Sequence, residues 1–257
     1  MVSNANFVKV GQGKVTWNGK NANTGNTTVN EGELLMSGLS CLGTGKLTVN
    51  ADATLAGSNN AKNALTNQNV TINGLLRPGV IATSSDGLLC FDSKPVTVNE
   101  QGAIQFTAAR CATDTDNGCT SIEGISTLTV NGTLRMLVTA SNTLQVGDSV
   151  RIFRASSFQG TPKFESEGNI VWDTTRIAEG LLFVKAVGTK GDVNGDGTVD
   201  VADIAAIIAA MAGTVGGGSA TAADVNGDGT VDVADISTVI AIMAENARRL
   251  AEIAYDH

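Results

Sequence analysis

Twelve consecutive residues, Asp192 to Asp203 (DVNGDGTVDVAD), return letter for letter from Asp224 to Asp235. Each copy places an oxygen donor at positions 1, 3, 5, 7, 9 and 12. In the first these are Asp192, Asn194, Asp196, the backbone carbonyl of Thr198, Asp200 and Asp203; in the second, Asp224, Asn226, Asp228, the carbonyl of Thr230, Asp232 and Asp235. Calcium is a hard cation that takes about six to eight oxygens, and its loops supply them at this spacing, with a glycine at the sixth position for the sharp turn. Gly197 and Gly229 stand there. The reading is therefore two Ca2+ ions, one per loop, with Asp200 and Asp232 acting directly or through water. The closing ligand is Asp rather than Glu, one methylene shorter, so closure requires a helix seated closer to the ion. Two Asp/Asn/Gly turns without metal are the alternative, and the filling of every ligand position twice argues against it.

The segment entering the first loop, Phe183 to Gly191 (FVKAVGTKG), reads as a strand and a turn, so no helix precedes it. The segment leaving each loop reads as a helix, because Ile204, Ile207, Ile208 and Met211 repeat as Ile236, Val239, Ile240 and Met243 at the same offsets. A loop-helix calcium unit without its entering helix, duplicated 32 residues apart over about Gly191 to Ala244, resembles the dockerin family of bacterial extracellular enzymes. The resemblance implies a small α-helical, calcium-dependent domain that binds a cohesin module through helix faces beside the loops. Carried onto this chain, those faces comprise Val201, Ala202, Ile208, Ala209 and Gly213, then Val233, Ala234, Ile240, Ala241 and Glu245. Typical members place hydroxyl and basic residues at several of these positions. Here nearly all are apolar, which directs the reading toward an apolar partner surface, cohesin-like or the chain's own β region, unless the isoleucines are simply core.

Charge partitions in the same way. Residues 1–188 carry 14 Lys and Arg against 14 Asp and Glu, whereas residues 189–257 carry 3 against 11, so the whole net charge of -8 lies in the last segment. The acidity belongs to the metal loops, and no basic stripe exists to neutralise the phosphates of a nucleic acid. No apolar run is long enough to predict a membrane span.

Residues 1–188 are rich in Gly, Asn and Thr and carry no sustained helical stripe. A V-T-x-N pattern with a second apolar strand after it returns instead, centred on Val29, Val49, Ile72, Val98 and Val130, with steps of 20, 23, 26 and 32 residues. Alternating short strands with Asn or Gly at the corners predict a mainly β region, a right-handed parallel β-helix (solenoid) whose turns stack on one core; a sandwich would also give many short strands. The opening VKVGQGKVTWNGKNANTGNTTVNEGELLMSG (Val8 to Gly38) resembles the autotransporter-associated β-strand repeat. The closing LQVGDSVRIFRASSFQG, IVWDTTRI and GLLFVKA resemble the end segment that caps such helices. The expected organisation is thus a solenoid over residues 1–188 and a dockerin-like domain over 189–257. Trp17 and Trp172 are read as core or cap packing. MVSNANFVKV has neither the basic nor the apolar part of a signal peptide, and the first strand opens inside a turn of the solenoid without a cap. The chain is accordingly expected to be the C-terminal part of a longer secreted protein.

Cys41, Cys90, Cys111 and Cys119 all fall in the β region. Cys111 and Cys119 bracket a short polar loop that one disulfide could close, a pairing of Cys41 with Cys90 is the second option, and free buried thiols are the third. Asp114 and Asp116 within that loop are read as turn formers.

His257 is the one histidine, which excludes Ser-His-Asp and Cys-His chemistry, HExxH zinc sites and histidine bases. Asp86 with Asp92, and Glu165 with Glu167, are the carboxylate pairs left for glycoside hydrolysis, and such pairs are ordinary on solvated faces. The expectation is a non-catalytic, extracellular or cell-surface region: a β-helical scaffold bearing a calcium-dependent module for protein–protein anchoring in polysaccharide degradation. A surface adhesin or autotransporter-like passenger, and a β-helix polysaccharide lyase, are the competing readings.

Overall fold

Residues that alternate apolar and polar must lie extended to bury one face, and the computed structural model places them so. It describes residues 4–21, 23–37, 41–59, 64–79, 87–108, 119–138, 144–166, 170–213 and 220–255. The opening strands are β1 (Phe7–Lys9), β2 (Lys14–Trp17), β3 (Lys20–Asn21), β4 (Thr27–Ser37), β5 (Cys41–Leu42) and β6 (Leu47–Ser58). The middle group is β7 (Val70–Ile72), β8 (Leu75–Pro78), β9 (Leu88–Val98), β10 (Ala103–Ala108), β11 (Ser121–Val130) and β12 (Thr133–Val138). The last are β13 (Ser149–Arg151), β14 (Phe153–Gln159), β15 (Lys163–Ser166), β16 (Ile170–Asp173) and β17 (Leu181–Val187).

Twelve strands form one parallel sheet, ordered β14-β11-β9-β7-β6-β8-β10-β12-β15, with β4 against β6 and with β1 and β2 against β4. The sheet is curled. Its middle strand shows how: Leu47–Val49 of β6 pair with β7, while Thr54–Ala56 of the same strand pair with β8. Each tier therefore turns a corner between its two halves.

The columns running from tier to tier hold the sheet together. Val29, Val49, Ile72, Val98 and Val130 are register partners one to the next and are all fully buried. Leu34, Leu55, Leu76, Ile104 and Leu134 form a second such column beyond the corner. Each of these side chains contributes about 1.5–3 kcal/mol relative to exposure. At the corner the N–H groups of Asn73, Asn99 and Asn131 donate to the carbonyls of Val49, Ile72 and Val98 at 2.7, 3.0 and 2.9 Å. The Asn50 and Asn99 amides donate to Asn30 and Asn73 Oδ1 at 2.8 and 2.6 Å. The next residue must be glycine, since a Cβ on Gly74 or Gly132 would lie 2.1 or 2.0 Å from the carbonyl oxygens of Asn50 and Gly102.

The closing stretch read as a cap is in part a further tier, because β14 and β15 continue the parallel stack on β11 and β12. A separate sheet, β13-β17-β16, lies beyond it in the chain, with β13 antiparallel to β17. Trp172 is buried and its indole N–H donates to Ser166 Oγ at 2.9 Å, while Trp17 meets Phe7 edge to face at 4.8 Å, so both tryptophans pack as expected. Cys90 and Cys119 are buried free thiols, raised in pKa chiefly by burial. Cys111, the loop between it and Cys119, the side chain of Cys41, Asp86 and Glu167 lie outside the described residues.

Helices begin only after Val187: α1 (Val201–Met211), α2 (Ala220–Ala223) and α3 (Val233–Tyr255). They enclose a core of Val193, Ile207, Ala223, Val225 and Val239. The chain divides into two compact units, Met1–Ser166 with Trp172–Val184, and Glu167–Val171 with Lys185–His257.

Candidate metal centres

The strand β17 leads into the first loop and α1 leaves it, so the unit has no entering helix, as its sequence predicts. Backbone at positive φ makes each loop turn: Gly195 and Gly197 have φ of 76° and 92°, and Gly227 and Gly229 have 79° and 89°. These values lie where glycine alone is unstrained.

The polar side chains wind the loop around themselves. Asp192 Oδ1 accepts from the N–H groups of Gly195 and Asp196 at 2.9 and 3.1 Å, and its Oδ2 accepts from Gly197 N–H at 2.9 Å. Asp224 accepts from Gly227, Asp228 and Gly229 at the same three distances. Asn194 and Asn226 donate to Asp196 and Asp228 Oδ2 at 2.9 Å in both copies. Asp196 Oδ1 accepts from the Thr198 N–H and hydroxyl at 2.9 and 2.6 Å, and Asp228 is held likewise by Thr230. These bonds, the threonine hydroxyl first, hold the carboxyls of Asp196 and Asp228 below the usual carboxylate range.

The twelfth residue does different work. Asp203 and Asp235 are fully buried carboxylates. Asp203 Oδ1 accepts from Val193 and Asn194 N–H at 2.7 and 3.0 Å, and its Oδ2 accepts from Asp200 N–H at 2.8 Å. Asp200 in turn caps α1 by accepting from Ala202 N–H at 2.7 Å, so the two form a reciprocal capping box. Asp232 and Asp235 repeat the arrangement at the start of α3. The helix start thus draws the short twelfth side chain in under the loop, which answers the missing methylene. This capping role was legible in the D-x-x-D spacing, but the ligand reading of the same residues hid it.

Among the described residues, no three His, Cys, Asp or Glu side chains are gathered into a ready metal cluster. The donor set nevertheless fits a hard cation: every expected ligand is an oxygen, and four carboxylates per loop converge on one turn of backbone. Asp192, Asn194, Asp196, Thr198, Asp200 and Asp203 would hold one Ca2+, and Asp224, Asn226, Asp228, Thr230, Asp232 and Asp235 the other. The ion supplies the positive charge that offsets those carboxylates, and its binding free energy becomes folding free energy.

The apolar stripe of each helix splits between core and surface. Ile207 and Val239 are fully buried, whereas the next residues, Ile208 and Ile240, are 53 % and 52 % exposed. Val201 and Val233 are 70 % and 66 % exposed. Ala202, Ala234 and Ala241 are exposed and Ala209 is half-buried, so the residues assigned to a partner stand on the surface in matched pairs. Ser237 and Thr238, which α1 lacks, turn their hydroxyls to the carbonyls of Val233 and Ala234 at 3.0 and 2.9 Å, leaving the α3 face apolar as well.

Residues 190–244 match the family model of the dockerin type I domain, so the C-terminal unit contains a dockerin, a class of calcium-binding module that docks onto cohesin modules. Neither a curated protein nor a solved structure matches the chain. The match covers the loop-helix pair and leaves the parallel sheet to be read on its own chemistry. Among the described residues no helix is long and apolar enough to cross a membrane.

Proposed function

We propose that this chain is a non-catalytic region of a larger secreted bacterial protein, in which residues 1–188 form a right-handed parallel β-helical scaffold and residues 189–257 a calcium-dependent anchor. The anchor docks onto a cohesin-like module and so tethers the parent protein to an extracellular, polysaccharide-degrading assembly. One observation carries the reading: two loop-helix units share the same hydrogen bonds at nearly the same distances and present the same exposed valine and isoleucine beside each loop. The β-helix is supported by tier-on-tier parallel register with unbroken aliphatic columns. The absence of a histidine before His257 supports a scaffold without acid–base catalysis.

The docking surface is Val201, Ala202, Ile208 and Ala209 on one repeat, and Val233, Ala234, Ile240 and Ala241 on the other. Either repeat can serve, because the two faces carry the same residues at the same offsets. The test is capture of the full chain by an immobilised panel of type I cohesins, in calcium and in chelator. Calcium-dependent capture is expected to survive Val201→Asp/Ala202→Asp alone, and Val233→Asp/Ala234→Asp alone, and to vanish when all four are changed. A folded, calcium-loaded chain that no cohesin captures overturns the partner. Loss through one pair alone overturns the equivalence of the repeats, and release of unsaturated sugars from pectin or alginate overturns the non-catalytic assignment.

A further inference from the structure

The buried columns of the curled sheet are aliphatic from tier to tier until the first tier. There Lys9 of β1 is the register partner of Val29, so a lysine heads the column of Val29, Val49, Ile72, Val98 and Val130. Lysine beside an apolar surface ordinarily carries its ammonium out to water. Lys9 does not: it is 4 % exposed, and its Nζ donates to the carbonyls of Glu31 at 2.8 Å, Val10 at 3.1 Å and Gly11. Three acceptors take all three protons of the ammonium, so the charge is satisfied from within the tier. Phe7 heads the neighbouring column over Thr27 and packs against Trp17, which stands over Met36.

The edge around this lysine has the features of a stacking surface. Among the described residues β4 is the only strand that pairs with β1 or β2, so the outer backbone groups of both remain open to a further strand. Val8, Val10 and Val15 on the same tier are 50 %, 65 % and 39 % exposed. Such an edge is a template for another strand unless something blocks it, and an inward-pointing charge is one such block. A tier laid over Lys9 would bring an aliphatic side chain onto a desolvated ammonium with no proton left to share.

We propose that Lys9 is a stop for tier stacking, which keeps the β1 and β2 edge from joining the same edge of a second copy of this chain. Lys9→Val restores the aliphatic residue found in the next tier. In sedimentation velocity on the full chain in calcium, it is expected to lose the monomer boundary to dimers and larger species while the β signal in circular dichroism is kept. Adding Val15→Lys, which charges the same edge and leaves position 9 as valine, is expected to restore the monomer. A folded, monomeric Lys9→Val chain overturns the proposal. So does a Lys9→Val chain that loses its β signal, or that associates equally with and without Val15→Lys, since Lys9 would then be only an internal hydrogen-bond donor. A wild-type chain already associated, and dissociated by Val15→Lys, overturns it as well.

Discussion

Both halves of this chain are repeats, yet they are copied with very different strictness. From tier to tier the curled sheet preserves only a class of residue, Val or Ile at the column positions and Asn or Gly at the corners. The two loops preserve twelve letters without a change. A column asks its members to fill volume and exclude water, and aliphatic residues of similar size do this interchangeably at small cost. A loop asks that each oxygen meet a given N–H, as Asp192 meets Gly197 and Asp224 meets Gly229, both at 2.9 Å. The strictness of a repeat thus measures how directional its chemistry is.

Chelation should break the comparison most sharply. The full chain moved from calcium into chelator is expected to lose the helical signals of residues 185–257 while the β signals persist, because only the loops gather charge that needs an ion. Residue-resolved NMR spectra check this, and equal loss in both units would refute it. The converse perturbation is Leu55→Ala, which empties a fully buried column position. It should destabilise the sheet by about 2–5 kcal/mol in denaturant titration and leave the calcium midpoint unchanged.

Asp203→Ala should cost less and stay local to its repeat. It removes the acceptor of Val193, Asn194 and Asp200 N–H, a loss of about 1.5–3 kcal/mol, as for hydrogen bonds to charged groups. Calorimetry should then count one calcium where the wild type takes two. The smallest effect is the response to acid. Asp196 and Asp228 have folded pKa values below their ordinary 3.8, so their stabilisation is complete above that value and fades as pH falls through the lower folded one. The effect is small because both carboxyls are exposed to water. Thr198→Val should return Asp196 toward the ordinary value in an NMR pH titration and leave Asp228 unmoved.

The columns were legible residue by residue, since the five aliphatic centres picked out by the V-T-x-N pattern are the observed register partners. Period-2 alternation fixes which residues point inward, and the corner Asn fixes where each tier bends. The loop positions were equally legible, because a ligand set is written in residue type and spacing. What sequence blurred was the sorting of neighbours. Ile207 and Ile208 are equally apolar, and only the packing of Val193, Ala223 and Val225 around one of them puts it in the core and leaves the other on the surface. Lys9 was hidden for a related reason: a lysine inside a strand reads as solvent-facing until three carbonyls are found around it.

The widening steps between tiers, from 20 to 32 residues, have a further consequence. The added residues fall in the segments joining β6 to β7, β8 to β9 and β10 to β11, yet the column partners stay in register across every step. Pitch is thereby uncoupled from girth. Each doubling of a connecting segment costs only about 0.6 kcal/mol of closure entropy, so the sheet can accept foreign sequence at these junctions as a measuring rod accepts attachments, without altering the spacing of its marks.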